Sequence, residues 1–456
     1  MISQDVESIS CTQNGDDPMK RRRTARILSA IILSAVMAVS PLSAFAADVS
    51  GADMNNKGSA GTASAFSDVK TDHWAYDSIN TAVKKGWVYG YPDGTFRPDA
   101  EVTRAEFVAM LINAMQLSQD TKARLTGEDE RSDATNIIGY GMGEGSEFSE
   151  MYEDMASSWL AANGYAKLAV RLGIVVNADY SDGSFGVSVP ITRKEIAVMT
   201  ERAMGRVYKA ENNTRKPKFS DVSDLSKKTA GYVADSAACG VTSGFPDGTF
   251  RPDAKATRAE ALAMIDRAIS FTEKGETDQI TVKAWNHENS SEENALTVKT
   301  KSPAIISDGI IYMDALEVKS IWNAAQNDIS CEQAAKEQGC YWYPVMQRLV
   351  VTGSGMYNVY TSGSSLAKII YYYWYPHDYF DMDYDVKMLH GRILIPIWNI
   401  KKSCDIPGKS FTNMAEDGPL SWERDGRFYY FTGYDEKTQT LTMDVNQFYV
   451  TPPPMS

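Results

Sequence analysis

Histidine and cysteine are scarce in this chain, with four His and five Cys in 456 residues. Neither a His-x-x-x-His pair nor a Cys-x-x-Cys gathers them, so the sequence carries no patterned metal site, and no cofactor is expected. Positive charge is in deficit as well. The net charge of −13 leaves no basic excess beyond the N-terminus, which argues against a nucleic-acid binder. Long apolar runs are missing: Ile27 to Val39 is too short to span a bilayer, and no later stretch is longer. Catalytic signatures are missing too. There is no G-x-S-x-G, and Ser365-Leu366-Ala367-Lys368 matches S-x-x-K without its S-D-N and K-T-G companions, so the match reads as chance. Asp381, Asp383 and Asp385 alternate, but without the glycine and closing glutamate of a calcium loop they read as a solvated strand face. The chain is therefore not expected to be an enzyme.

What is present begins with export. Lys20-Arg21-Arg22-Arg23 precedes the apolar run, and Pro41 and Ala44-Phe45-Ala46 follow it. That order is a secretory signal peptide over residues 1–46, with Met19 an alternative start. Its removal takes away five basic and four acidic groups, leaving about −14. Cys239, Cys331, Cys340 and Cys404 remain, an even count that permits disulfides. Cys331 and Cys340 flank a helix-like segment, which would hold them about 13 Å apart. A bridge would need Gly339 to turn the chain back; free thiols are the alternative. Residues 47–65 are small and polar, a flexible leader.

The text then repeats three times, over 66–116, 148–206 and 219–272, with a charged insertion at 117–147. Ten residues separate Asp93 from Thr103, Asp182 from Thr192, and Asp247 from Thr257. A fixed loop amid drifting surroundings is a structural unit. Each unit reads as helix, loop, helix. In the first, Trp74, Ile79, Val83 and Trp87 form one apolar face, Gly86 ends the helix, and Phe96 anchors a turn-rich loop. Thr103 with Glu106 makes a capping box for the second helix, repeated as Thr192/Glu195 and Thr257/Glu260. Phe107, Met110, Leu111 and Met115 form the stripe behind it.

Capping does not explain Arg104, Arg193 and Arg258, which stand in the first turn where the helix dipole disfavours a cation. One reading is an ion pair with an acidic loop residue such as Asp99. The other is recognition of an anion beside free helix N-terminal amides, a task that suits a bidentate guanidinium. Recurrence in three copies favours the second.

The "FSDV" starts, the "GYPDGTF" and "GFPDGTF" loops and the "TRAE" helix starts together resemble S-layer homology (SLH) repeats, over residues 66 to about 270. The resemblance implies an all-α, pseudo-threefold module with grooves between its repeats. It also implies attachment to a secondary cell-wall polysaccharide, often one with a pyruvate ketal. By position, Arg104, Arg193 and Arg258 become carboxylate binders, Asp68 and Trp74 line the first groove, and Asp221 lines the third. Trp74 reads equally as a core residue. The second unit departs most, with Glu150 for Asp, Lys194 for alanine, Ser184-Phe185-Gly186 in its loop and Trp159 displaced. No tryptophan starts the third. The ligand role is therefore weakest for the second unit, and at least one groove is expected to be structural only.

Residues 275–456 change to short β-prone runs between Gly, Asp, Asn and Ser turns, with helical pieces near 314–325 and 330–338. An α+β domain with antiparallel sheet is expected. "PAIISDGIIYM" from Pro303 and "VKMLHGRILIPIW" from Val386 look alike and are similar to a copper amine oxidase N-terminal-like module, which implies neither copper nor oxidase activity. The first copy lacks the proline, and the arginine due after Pro396 is missing. The aromatic run Tyr371 to Phe380 reads either as a sugar- or protein-binding face or as core packing; strand alternation, which would put about half its rings in a core, favours the second.

The expected protein is thus an exported, multidomain cell-surface anchor. Its SLH module would bind an acidic wall glycan and its C-terminal domain would face an unknown partner, with no transmembrane segment after cleavage. The alternatives are a wall-anchored glycan hydrolase and a self-assembling surface-lattice protein.

Overall fold

A computed structural model describes residues 66–126, 151–286 except 216, and 291–444 except 337–339, 344–346, 354–355, 365, 372–376, 382–384 and 400–429. The signal peptide, the leader, Glu150, most of the insertion, Ser365 and Asp383 lie outside these residues.

In unit 1, α1 (Tyr76–Lys84) buries Ile79 and Ala82, and α2 (Arg104–Ala114) buries Phe107, Met110 and Leu111. Gly86, at φ +71°, turns the chain after α1 so that Trp87 enters the core. Trp74 does not share that face. The helix starts two residues later, and the indole is 61% exposed. The insertion contributes α3 (Gln119–Thr126), whose Thr121 and Leu125 are buried.

Unit 2 replaces the single first helix with three short ones: α4 (Glu153–Ala156), α5 (Trp159–Ala162) and α6 (Tyr165–Arg171). The Ser158 hydroxyl caps α5, and Gly164, at φ +78°, redirects the chain into α6. Then come α7 (Arg193–Ala203) and α8 (Val207–Glu211). Unit 3 is α9 (Lys227–Ala238) and α10 (Arg258–Thr272). All three capping boxes form: each N-cap threonine accepts from the glutamate N–H, and each glutamate accepts from the threonine N–H.

The residues before these caps bind the units to one another. Val102 N–H donates to Ala256 O (3.2 Å), Ala256 N–H to Ile191 O (3.0 Å), and Ile191 N–H to Val102 O (2.9 Å). The three hydrogen bonds close a cycle, and all three side chains are fully buried around it.

Among the described residues the C-terminal half has three sheets. Strands β1 (Thr281–Trp285), β2 (Leu296–Lys299), β3 (Ile305–Ser307) and β4 (Ile310–Asp314) lead into α11 (Ala315–Asn327) and α12 (Cys331–Lys336). The Asp314 carboxylate caps α11 by accepting from Leu316 and Glu317 N–H. Next are β5 (Cys340–Tyr343), β6 (Arg348–Gly353), β7 (Met356–Thr361), β8 (Leu366–Tyr371) and β9 (His377–Asp381), an antiparallel meander. Last come β10 (Lys387–Leu389), β11 (Arg392–Asn399), β12 (Tyr430–Asp435) and β13 (Thr440–Asp444).

The two look-alike stretches are two hairpins of one sheet, ordered β10-β11-β4-β3. Asp308-Gly309 and His390-Gly391 make their turns, all four residues at positive φ, as a two-residue hairpin requires. Antiparallel pairing dominates, as expected, with one exception: β1 and β13 pair in parallel, Thr281 opposite Thr440, within the sheet β12-β13-β1-β2. A parallel pair needs a crossover, and the long chain between these strands supplies one. Cys239 and Cys331 are free thiols, so Cys331 is not bridged to Cys340.

One buried apolar cluster runs from Val69 to Leu441. The buried Gln347 amide donates to the carbonyls of Leu172 and Arg202, and the Ser362 hydroxyl to that of Gly205.

Candidate functional site

Each arginine-bearing helix begins against the loop of the next unit. In α2, Arg104 N–H donates to Val189 O and Ala105 N–H to Val187 O; in α7, Arg193 and Lys194 donate to Ala254 and Pro252; in α10, Arg258 and Ala259 donate to Ala100 and Pro98. The first N–H groups of all three helices are therefore spent on protein carbonyls. The expectation that free helix amides would reinforce anion binding does not hold, because inter-unit packing uses them.

The arginines follow the same cycle. Arg104 donates to Phe185 O (2.7 Å) and pairs with Glu195 at 2.6 Å. Arg193 donates to Phe250 O (2.9 Å) and lies 3.7 Å from Glu260. Arg258 donates to Phe96 O (3.0 Å) and lies 3.8 Å from Glu106. The ionic partner is thus the capping-box glutamate of the following unit, not a loop residue such as Asp99. Each glutamate serves twice, starting its own helix and meeting a neighbour's cation. Aromatic faces complete the sockets: Tyr180 lies 4.3 Å from Arg104, Phe245 4.6 Å from Arg193, and Phe96 4.9 Å from Arg258.

The loops that receive the arginines are held from behind. Asp68 accepts from Phe96 and Arg97 N–H, and Asp221 accepts from Phe250 and Arg251 N–H. In unit 2 this carboxylate is Asp154, which accepts from Phe185, Gly186 and Val187 N–H. These bonds hold its pKa below the usual carboxylate value against the opposing effect of burial, the largest single influence. Asp154 therefore occupies the position that the sequence spacing assigned to Glu150. Asp68 and Asp221 shape the loops through backbone bonds. In units 1 and 3 the loop is pinned again: Asp93 accepts from Thr95 and Arg97, and Asp247 from Thr249 and Arg251. The threonine bonds first, then the arginine, pull both carboxyls down to about 2.

Gly186 also acquires a reason. It takes the place of Arg97 and Arg251, all three at positive φ. A Cβ on Gly186 would stand 2.6 Å from Arg104 Nη1, so the departure in the unit 2 loop makes room for the arginine of unit 1.

The three arginines differ in access. Arg258 is 1% exposed and Arg193 7%; the Arg104 side chain is 15% exposed. Arg193 lines a cleft of about 140 Å³ that draws on all three units. Trp74 of unit 1 stands at this cleft, with Ser243, Phe245, Glu260 and Arg267 of unit 3. Trp74 stacks on His73, with ring centroids 5.7 Å apart, and leaves its indole to solvent. Thr242, 3% exposed, lines the same cleft, and its hydroxyl has no hydrogen-bond partner among the described residues. Burial lowers the Arg193 pKa, an effect Glu260 opposes. A buried guanidinium whose carboxylate stands beyond hydrogen-bond distance retains attraction for a further anion.

The sequence-marked residues thus separate. Arg193 and Trp74 meet at one cleft, while Arg104 and Arg258 sit in sockets between other unit pairs. The arginine of the divergent second unit reaches the cleft because each arginine projects forward, into unit 3 in its case. Arg267 and Thr242 carried no mark in the sequence, being one cation and one hydroxyl within ordinary helix and loop text.

The S-layer homology domain family matches residues 65–108, 152–197 and 218–262. The chain is similar to a cellulosome-anchoring protein of Acetivibrio thermocellus, 31% identical over 40% of this chain and 34% of that protein. It is similar to cell surface glycoprotein 1 of the same organism, 29% identical over 41% of this chain and 7% of that one. An amylopullulanase of Thermoanaerobacterium thermosulfurigenes is 31% identical over 44% of this chain and 9% of the enzyme. The chain spans 34% or less of the length of each of these relatives.

Proposed function

We propose that this chain, which carries three matches to the S-layer homology domain family, is a cell-surface protein that anchors non-catalytically to the cell wall by binding an acidic, pyruvylated polysaccharide. The three units act as one pseudo-threefold module. Arg193 engages the glycan carboxylate, with Arg267 as a second cation, Thr242 as a hydroxyl partner and Trp74 as a stacking face for the sugar ring. The observation that carries this reading is the cleft itself. A buried arginine, an unspent hydroxyl and an exposed indole converge there from separate units.

Asp68 and Asp221 serve the ligand indirectly, by holding the loops that receive Arg258 and Arg193. Arg104 and Arg258 are proposed as minor or structural contributors, since Arg104 is closely paired with Glu195 and Arg258 is 1% exposed. The test is co-sedimentation with purified wall sacculi. R193A and W74A should each lose at least about tenfold in affinity, the loss of one charge-assisted hydrogen bond or one stacking contact. Removal of the pyruvate ketals from the sacculi should lower wild-type binding to the R193A level. Full binding by a folded R193A/R267A variant would end this reading. Zymography of the full chain on wall glycan, with no clearing expected, tests the hydrolase alternative.

A further inference from the structure

Where the end of α10 meets the β10–β11 turn, three side chains converge: Glu273, Glu276 and His390, their ligand atoms within 4.8 Å of one another. Sequence spacing gives no sign of the group, since 114 residues separate Glu276 from His390. The histidine is oriented from outside the cluster. Its Nδ1 lies 2.8 Å from the carbonyl oxygen of Met115, at the end of α2. A carbonyl can only accept, so Nδ1 carries the proton and donates. Nε2 then faces Glu276 Oε1 at 3.1 Å.

For a neutral imidazole this sets a lone pair against a carboxylate. Two species relieve the opposition: a second ring proton or a metal ion. An imidazole that gives its far N–H to a backbone carbonyl is the usual arrangement behind a metal ligand. Two carboxylates would also offset one divalent ion once Lys85 leaves Glu273. Of the surrounding cations, Arg124 donates to Gly391 O, while Arg392 stands 3.8 Å from Asp314 and also attracts Glu276. Lys85 pairs with Glu273 at 3.3 Å, but its side chain is 39% exposed and free to swing into solvent.

We propose that Glu273, Glu276 and His390 form a site for one divalent transition-metal ion, of which zinc best suits a nitrogen-plus-carboxylate donor set. Metal–ligand bonds of about 2.0–2.2 Å put tetrahedral ligands roughly 3.3 Å apart. The His390–Glu276 pair already has nearly that separation. Glu273 completes the set by a rotamer change that releases Lys85, and water takes the fourth position. The ion joins α10 of unit 3 to the β10–β11 turn and, through Met115, to α2. It is a clip between the repeats and the C-terminal sheet, distinct from the glycan cleft.

The test uses the untagged full chain, stripped with chelator and titrated with zinc chloride by calorimetry and thermal melting. One zinc ion per chain should bind, and the melting temperature should rise by about 3 °C at a hundredfold excess over Kd. H390N keeps a residue that tolerates the turn conformation, and E276Q keeps the side-chain size; each should lose that ion and its melting shift. Absence of zinc binding by the wild type would show an imidazolium–carboxylate pair only and overturn the proposal. So would wild-type zinc binding by either folded variant.

Discussion

Replacing Gly186 with alanine tests the socket that Arg104 enters. The added Cβ meets Arg104 Nη1 at 2.6 Å and Val189 Cγ2 at 2.9 Å, on a backbone at φ +70°. The positive φ alone costs about 1–2 kcal/mol for a residue with a side chain. Relieving the contact requires the guanidinium to leave Phe185 O, a charge-assisted hydrogen bond worth about 1.5–3 kcal/mol. The total is roughly 3–4 kcal/mol. Gly183 is the control: its φ is +75° and nothing lies within 4 Å of a Cβ there, so G183A should cost only the backbone penalty. Urea unfolding followed by tryptophan fluorescence measures both. In a double-mutant cycle, R104A removes the atom that G186A crowds, so the two changes should couple by about 1.5 kcal/mol or more. Equal costs for G186A and G183A, or coupling below about 0.5 kcal/mol, would refute the account of the unit 2 loop.

Other consequences are open to direct measurement. D154A removes the acceptor of three backbone N–H groups and should destabilise the chain by about 2–3 kcal/mol in urea, with D68A and D221A milder because each serves two. Asp93 and Asp247 have folded pKa values depressed to about 2, so their stabilising effect is complete above the unfolded carboxylate value near 3.9. It should fade as pH falls through about 2, which carboxyl NMR titration would show as late protonation of these two groups. E260Q keeps the cap but weakens the charge beside Arg193, and should raise affinity for acidic wall glycan several-fold in the sedimentation assay.

The repeats were legible in the sequence because their signals are local. A capping box spans four residues, and a fixed ten-residue loop announces itself by recurrence. The partners of the arginines were not legible. Arg104 meets Glu195, 91 positions away, and no local rule specifies which unit a side chain enters. The same limit misplaced the unit 2 clamp: "FSE" aligned Glu150 with Asp68, while the carboxylate that reaches the loop amides is Asp154. Trp74 was open in the text because an indole fits a core or a sugar equally well. In the C-terminal half, the β-prone runs and the likeness of the two stretches from Pro303 and Val386 were readable, because both are local patterns. The parallel pairing of β1 with β13 was not, since it joins residues about 160 apart.

The hydrogen-bond cycle through Val102, Ala256 and Ile191 bears on how such a protein can vary. In an open stack of repeats, copies can be gained or lost at either end and the remainder still stands. Here unit 3 donates to unit 2, unit 2 to unit 1, and unit 1 back to unit 3. A fourth copy would find no vacant seam, and the loss of one would open two. Gene duplication can therefore add whole triplets, or lengthen the segments between units, but it cannot change the count within the ring by one.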